Sequence, residues 1–386
     1  MTDWDLIRPS LCPLLSQRVF LLLSQHMVSD PVDLSRVQRV LVVKLRHHGD
    51  VLLTSPVFQV LKNHAPHAEL DALIYSNTQD MLTLHPAIHN VHTIDREWKH
   101  LGPLAQGAGE WAVLRTLMKR RYDLLVHLTE HPRGAWLSRL LRPLSSVATK
   151  KHAPFWRGSF THLYPLPPHT PRHTVECNLD ALRRLGIYPD EHEKRLVLIP
   201  GAPAEEKVAG LLRQSGVTAK HFIHIHPTSR WFFKTWPASR VANLILELGR
   251  AGHRIVLSAA PEANEREMIV RIKEQLKAPV VDFTGMLSLK ELAALTAQAR
   301  LFIGVDSAPM HMAAAMGTPV VALFGPSGEA QWGPWMVPHR VVTSSHPCRP
   351  CGNDGCGGGK VSECLTTLSE ERVLAAANEL LAACRT

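Results

Sequence analysis

Hydrophobic positions along this chain come in short runs rich in branched side chains, separated by longer stretches where apolar residues recur every third or fourth position. The runs read as strands buried on both faces and the stretches as helices covering them, the alternation expected of parallel sheets. Val37 to Leu45 is the first run, followed by the turn Arg46-His47-His48-Gly49-Asp50 and a helix to about Asn63. Glu69 to Tyr75 and Asp123 to Leu128 read as further strands, whereas Arg142 to Arg172, crowded with proline and basic residues, reads as irregular. A helix from about Thr174 to Leu185 stops at Gly186-Ile187-Tyr188-Pro189, because proline cannot continue it. Beyond it, strands are expected at Phe222 to His226, Arg254 to Ser258, Val280 to Phe283, Leu301 to Val305 and Val320 to Phe324, with helices at Ala238 to Ala251 and Leu289 to Ala299. Ser369 to Ala383 is a further strong helix that could return to pack on the first domain.

These elements predict an α/β protein of two doubly wound, Rossmann-like domains facing across a cleft, with ligands beyond the carboxyl ends of the strands. The expected division is an N-terminal extension at 1–36, domains at 37–190 and 191–368, and the terminal helix at 369–386. A length of 386 residues agrees, since one core rarely serves so long a chain. Apolar residues make up 45% and charged residues 20%, which excludes a disordered chain. The net charge of +9 favours anionic partners. The basic residues read as spread along the whole chain, with short clusters at Lys119-Arg120-Arg121 and Lys150-Lys151; no RNA-type aromatic motif accompanies them, and no nucleic-acid partner is expected. No run approaches the roughly 18 to 20 apolar residues of a spanning helix, and Asp3 and Asp5 stand where a secretory signal carries positive charge, so a cytoplasmic protein is expected. Residues 10–28 could form an amphipathic helix, either packing or touching a membrane surface.

The most informative stretch is a strand, Leu301 to Val305, then Asp306-Ser307-Ala308-Pro309-Met310-His311, a helix and a stop at Gly317-Thr318-Pro319. Free N–H groups at that helix start, with the helix dipole, favour an anionic group outside the strand end. Asp306 could instead only cap the helix, and His311 could be a packing residue. Seven cysteines, an odd number, argue against a disulfide framework. Cys348, Cys351, Cys356 and Cys364, spaced C-x2-C-x4-C-x7-C, could hold a structural zinc or remain free or redox-active thiols.

The Asp306 stretch resembles the donor-binding signature of the lipopolysaccharide heptosyltransferases, glycosyltransferase family 9, in the form D-S-A-P-x-H-x-A-A-A-x-G-x-P, and similarity runs from Val37 onward. The resemblance implies the two-domain GT-B fold, the first domain binding the acceptor and the second an ADP-activated heptose, with inversion and without a catalytic metal or other cofactor. Lys44-Leu45-Arg46-His47-His48-Gly49-Asp50 resembles the family's K-x-x-x-x-G-D turn, which makes Asp50 the general base, although it could simply cap a helix starting at Val51. Lys44 then matches a position that could pair with the anionic acceptor, or is a snorkelling surface lysine. Thr228, Ser229 and Lys234 fall where hydroxyls and an ammonium would contact the donor diphosphate and stabilise the leaving ADP, with Lys234 one residue further from the hydroxyl pair than in some relatives. The resemblance further implies Glu265, in preference to Glu262, at the ribose hydroxyls, Leu287 over the adenine, and Asp306, Ser307, Ala308 and His311 at the donor. Cys348-Arg349-Pro350-Cys351, Cys356-Gly357-Gly358-Gly359-Lys360, Cys364 and the His47-His48-Gly49-Asp50 variant resemble the branch adding the third, side-branch heptose of the inner core.

The expected partners are therefore ADP-heptose, a lipid A-linked inner-core oligosaccharide and, peripherally, the cytoplasmic face of the inner membrane. A nucleotide-sugar epimerase or a non-catalytic nucleotide-binding protein on the same scaffold are the alternatives, because fold alone does not set the reaction. Asp50 in the glycine turn favours transfer, since an epimerase needs no base for an external acceptor.

Overall fold

The computed structural model describes residues 31–166, 171–276 and 280–383; the predicted amphipathic segment at 10–28 lies outside them. The first half builds β1 (Arg39–Val43), α1 (His48–Leu52), α2 (Ser55–His64), β2 (Glu69–Tyr75), β3 (Asn90–Ile94), α3 (Pro103–Arg120), β4 (Leu124–His127), α4 (Arg133–Leu141), β5 (Ser145–Thr149), α5 (Pro154–Arg157), β6 (His162–Tyr164) and α6 (Thr174–Arg183). The second builds α7 (Ala202–Gln214), β7 (Phe222–His226), α8 (Ala238–Arg250), β8 (Arg254–Leu257), α9 (Ala263–Lys273), β9 (Val281–Asp282), α10 (Leu289–Gln298) and β10 (Leu301–Val305). It closes with α11 (Ala308–Ala315), β11 (Val320–Leu323), α12 (Glu329–Trp332), β12 (His339–Val342), α13 (Glu363–Thr366) and α14 (Glu370–Ala383).

Each half holds one six-stranded sheet, ordered β3-β2-β1-β4-β5-β6 and β9-β8-β7-β10-β11-β12. All strands run parallel. The order reverses direction between β1 and β4 and again between β7 and β10, so a crevice opens beyond the carboxyl end of each pair. Alternate side chains of the first sheet face opposite layers. Val40 and Val42 join α2 and α6, while Leu41 and Val43 join α3, α4 and α5. The Val40 layer is continuous with Leu292, Met310 and Phe324, so apolar packing joins the two halves.

Three expectations change. Residues 142–172, read as irregular, carry β5, α5 and β6. The helix expected after Asp50 is two, because Pro56 lies in the first turn of α2 and cannot continue a preceding helix. The terminal helix α14 does not return to the first half. It packs on α8 and on β10, β11 and β12, where Val373, Ala377 and Leu380 cover a face of the second sheet that would otherwise meet water.

Candidate active site

Where the second sheet reverses, β7 and β10 deliver Thr228 and Asp306 side by side. Lys234, from the loop after β7, donates to Asp306 Oδ2 at 2.6 Å across 72 residues of sequence. This lysine is three-quarters buried and held in place rather than solvated. Asp306 accordingly makes an ion pair, while the cap position of α11 falls to Ser307, whose hydroxyl does not cap the helix. The start of α11 therefore faces the cleft with its dipole uncompensated by a side chain. Gly317, at φ +68°, ends the turn beyond it.

Beneath the cleft runs a buried chain of polar contacts that the sequence reading missed. Thr296 Oγ lies 3.0 Å from His224 Nδ1, and Ser258 Oγ lies 2.7 Å from His224 Nε2 and 2.8 Å from His226 Nδ1. Thr228 Oγ, 3.4 Å from His226 Nε2, donates to Glu265 at 2.5 Å. Burial pushes His226 down to about 4 and raises the Glu265 carboxyl. Two histidines at alternate positions of an otherwise apolar strand were the available signal. Glu265 is buried at the start of α9 and Glu262 is exposed; both line the cleft. Ser229 is spent locally, its hydroxyl accepting the Trp231 N–H at 3.2 Å.

From the opposite half, α1 brings Asp50 to the same cavity. The helix begins at His48, so Asp50 lies inside its first turn rather than capping one that starts at Val51; its carboxylate accepts the His47 N–H at 3.4 Å. Arg46 Nε stands 3.8 Å from it, a partner visible as an i,i+4 pair that the sequence reading left without a role. His311 is buried against Gly49, where a Cβ would sit 2.9 Å from His311 Cδ2, so glycine is required for the close approach of α1 and α11. Burial holds His311 down at about 4, opposed by Asp306 and Asp50, and its Nδ1 has no hydrogen-bond partner.

The result is one cleft of about 840 Å³ between the halves. Asp50 lines it from one side; Lys234, Asp306, Ser307, Ala308 and His311 line it from the other. Thr228, Ser229, Glu265 and Leu287 form its far end. Lys44 is elsewhere. It lines an adjoining recess of about 690 Å³ that shares Arg46, Asp50 and Trp332 with the cleft and is otherwise walled by Thr129, Tyr164, Arg172 and Gln331. Far from snorkelling, Lys44 is buried, donating to Leu128 O and Asn178 Oδ1 at 3.1 Å each, and desolvation lowers its ammonium to about 8. Asn178 is, with Thr174, one of two polar residues on the buried face of α6, which was its signal in the sequence.

Cys348, Cys351, Cys356 and Cys364 are free thiols, and among the described residues no three potential metal ligands are gathered. Their loop is instead tied to the strand β11 region, Arg349 donating to Gly325 O at 2.7 Å and Gly352 to Pro326 O at 2.9 Å.

With the geometry established, the chain can be compared with known proteins. Residues 110–361 match the model of glycosyltransferase family 9 (heptosyltransferase). Lipopolysaccharide heptosyltransferase 3 of Escherichia coli is 34% identical over 295 residues, covering 75% of this chain and 84% of that protein. Lipopolysaccharide heptosyltransferase 1 of Pseudomonas aeruginosa is 26% identical, covering 87% and 96%. Among solved structures, a family 9 glycosyl transferase from Veillonella parvula superposes with a TM-score of 0.79 at 25% identity, covering 92% of this chain and 100% of that one. An E. coli heptosyltransferase solved with ADP shares the fold, with a TM-score of 0.68 at 19% identity, covering 89% of this chain and 100% of that one.

Proposed function

We propose a reaction from one premise: the chain belongs to glycosyltransferase family 9, the heptosyltransferases. The protein transfers heptose from ADP-heptose, with inversion, to the heptose region of the lipopolysaccharide inner core, adding the third, side-branch residue. The observation that carries this is the convergence of Asp50 from one half with Lys234, Asp306 and the start of α11 from the other on one cleft, beside a second recess reached past the same Asp50. The 34% identity to heptosyltransferase 3 supports the choice of position.

In this mechanism Asp50 takes the proton of the acceptor hydroxyl as its oxygen attacks the anomeric carbon from the recess side. The bond to ADP breaks on the opposite face, and the charge left on the diphosphate meets the Lys234 ammonium and the N-terminus of α11. Asp306 holds Lys234 aimed. Glu265 accepts from the ribose hydroxyls, Leu287 covers the adenine, and no metal is required. Lys44, with two donors committed inside the protein, contributes mainly a positive field to the recess where an anionic acceptor sits. No described helix is long and apolar enough to cross a membrane, and the lipid-anchored acceptor draws the protein to the cytoplasmic face of the inner membrane. Incubation with ADP-heptose and a diheptosylated core acceptor tests the reading: a mass gain of one heptose is expected, and transfer to a monoheptosylated acceptor instead would reject the third-heptose assignment.

A further inference from the structure

The positive charge is not spread evenly. Between residues 96 and 157 stand twelve Lys and Arg against four Asp and Glu, so this stretch accounts for nearly all of the net +9. The same stretch folds into α3, α4 and α5, one layer on the first sheet, and the packing that joins the halves lies on the other face of that sheet. The layer also carries apolar side chains in water. Leu104, Trp111 and Met118 recur every seventh residue along α3, and Leu104 is 90% exposed. On the neighbouring elements Trp136 is 58% exposed and stacks on Phe155, over which the Arg139 guanidinium sits at 4.6 Å. Beyond the cleft, these are the exposed tryptophans among the described residues.

We propose that the α3–α5 layer is a membrane-docking face for an anionic bilayer, a reading that rests on the lipid-anchored acceptor proposed above and says which surface meets the lipid. Indole rings and aliphatic side chains ringed by Arg and Lys fit the boundary between head groups and acyl chains, where the rings sit apolar side down and the cations reach phosphate. A nucleic acid would match the charge but leave Leu104 without a partner. A second copy of the same face would set cation against cation, because the cations outnumber the acids threefold and two of the four acids are occupied: Glu110 pairs with Arg133 at 2.8 Å and Asp123 accepts the Gln38 and Arg39 N–H groups. The face also runs up to the recess. Thr149 lines that recess, Lys150 and Lys151 follow it directly, and Lys151 Nζ lies 4.7 Å above the ring of Trp156 on α5. An oligosaccharide rising from a docked bilayer thus enters past these lysines.

The test is flotation of the full-length protein with vesicles of phosphatidylglycerol and phosphatidylethanolamine, against vesicles of phosphatidylcholine alone. Wild type should bind the anionic vesicles preferentially, and sodium chloride should weaken binding. Replacing Arg115 and Lys119 by Gln should reduce affinity roughly thirtyfold, and Leu104→Ser with Trp111→Ser should reduce it further. Val270→Ser, an exposed apolar control on the second half, should bind normally. The α3 variants should keep wild-type turnover on a delipidated soluble acceptor while losing turnover on the vesicle-embedded one, and Val270→Ser should match wild type on both. α3 variants that bind like wild type, binding indifferent to anionic lipid, binding to RNA in place of vesicles, or loss of binding only on removal of residues 1–30 would each overturn the docking face. Absence of heptose transfer by wild type to either acceptor would instead overturn the reaction and leave the vesicle result standing.

Discussion

Asp50 stands where the cleft meets the recess, a carboxylate mostly shielded from water with Arg46 beside it. A general base there acts only on the hydroxyl it touches. Asp50→Asn keeps the shape and the hydrogen bond to His47 but cannot accept a proton, so kcat should fall by about two to four orders of magnitude. ADP-heptose affinity measured by calorimetry should stay within a few-fold, and near-normal turnover would reject the assignment. Gly49 is a second residue whose role is plain in distances. Its alanine variant would place Cβ 2.9 Å from a buried ring that has no room to swing, forcing α1 from α11 at a cost of about 1–3 kcal/mol. Thermal unfolding should show that loss, and the G49A/H311A double variant should lose less than the two singles summed, since both act through one contact. Additive losses would mean that the contact carries no strain.

At the level of elements, the proposed mechanism has α11 and the loop that presents Lys234 meet the charge on the leaving diphosphate, so transfer should survive treatment with excess chelator. Restoration of a chelated enzyme by one divalent ion specifically would show that a metal carries that charge. These elements were the legible part of the sequence, because a long apolar strand followed by a glycine-stopped helix leaves little choice of structure: β10, α11 and β11 stand where the pattern put them. The failures were short and polar. Ser145–Thr149 and His162–Tyr164 each present few apolar positions, and what makes them strands is the edge of a sheet already built by β1 and β4. The burial of Lys44 was not legible for a related reason. Nothing local marks a lysine as buried when its partners, Leu128 and Asn178, lie 84 and 134 residues away.

Across the whole molecule, histidine is the residue most altered by folding. Burial holds His85, His173, His226 and His311 down at about 4 and His127 at about 3, in both halves of the chain. The unfolded chain takes these protons near 6.5. Protonation therefore favours unfolding: the stability these groups contribute is complete above about pH 6.5 and is lost as pH falls toward 4, by up to about 1.4 kcal/mol per unit for each histidine. Glu265, raised by burial, works in the opposite sense as pH rises through its folded value, and one group cannot offset five. The melting temperature should be level between pH 7 and 8 and fall steeply from 6.5 to 4.5. A flat profile over that interval would show that these rings reach water.

The C-terminal helix has a consequence in time. Domains generally fold in the order they are made, and every strand of the first sheet has been made by the end of α6. The second half differs, because its core includes Val373, Ala377 and Leu380, while Ser362 holds Phe233 O beside Lys234 and Leu368 O accepts the Trp236 indole N–H. The Lys234 side of the cleft thus depends on residues 362–380, which are made after every residue that lines it. A nascent chain can complete the strands of the half that carries Asp50 well before the half that carries Lys234 can close. A chain cut at about residue 361 would contain every residue that lines the cleft and still lack the packing that holds the Lys234 side of it in place.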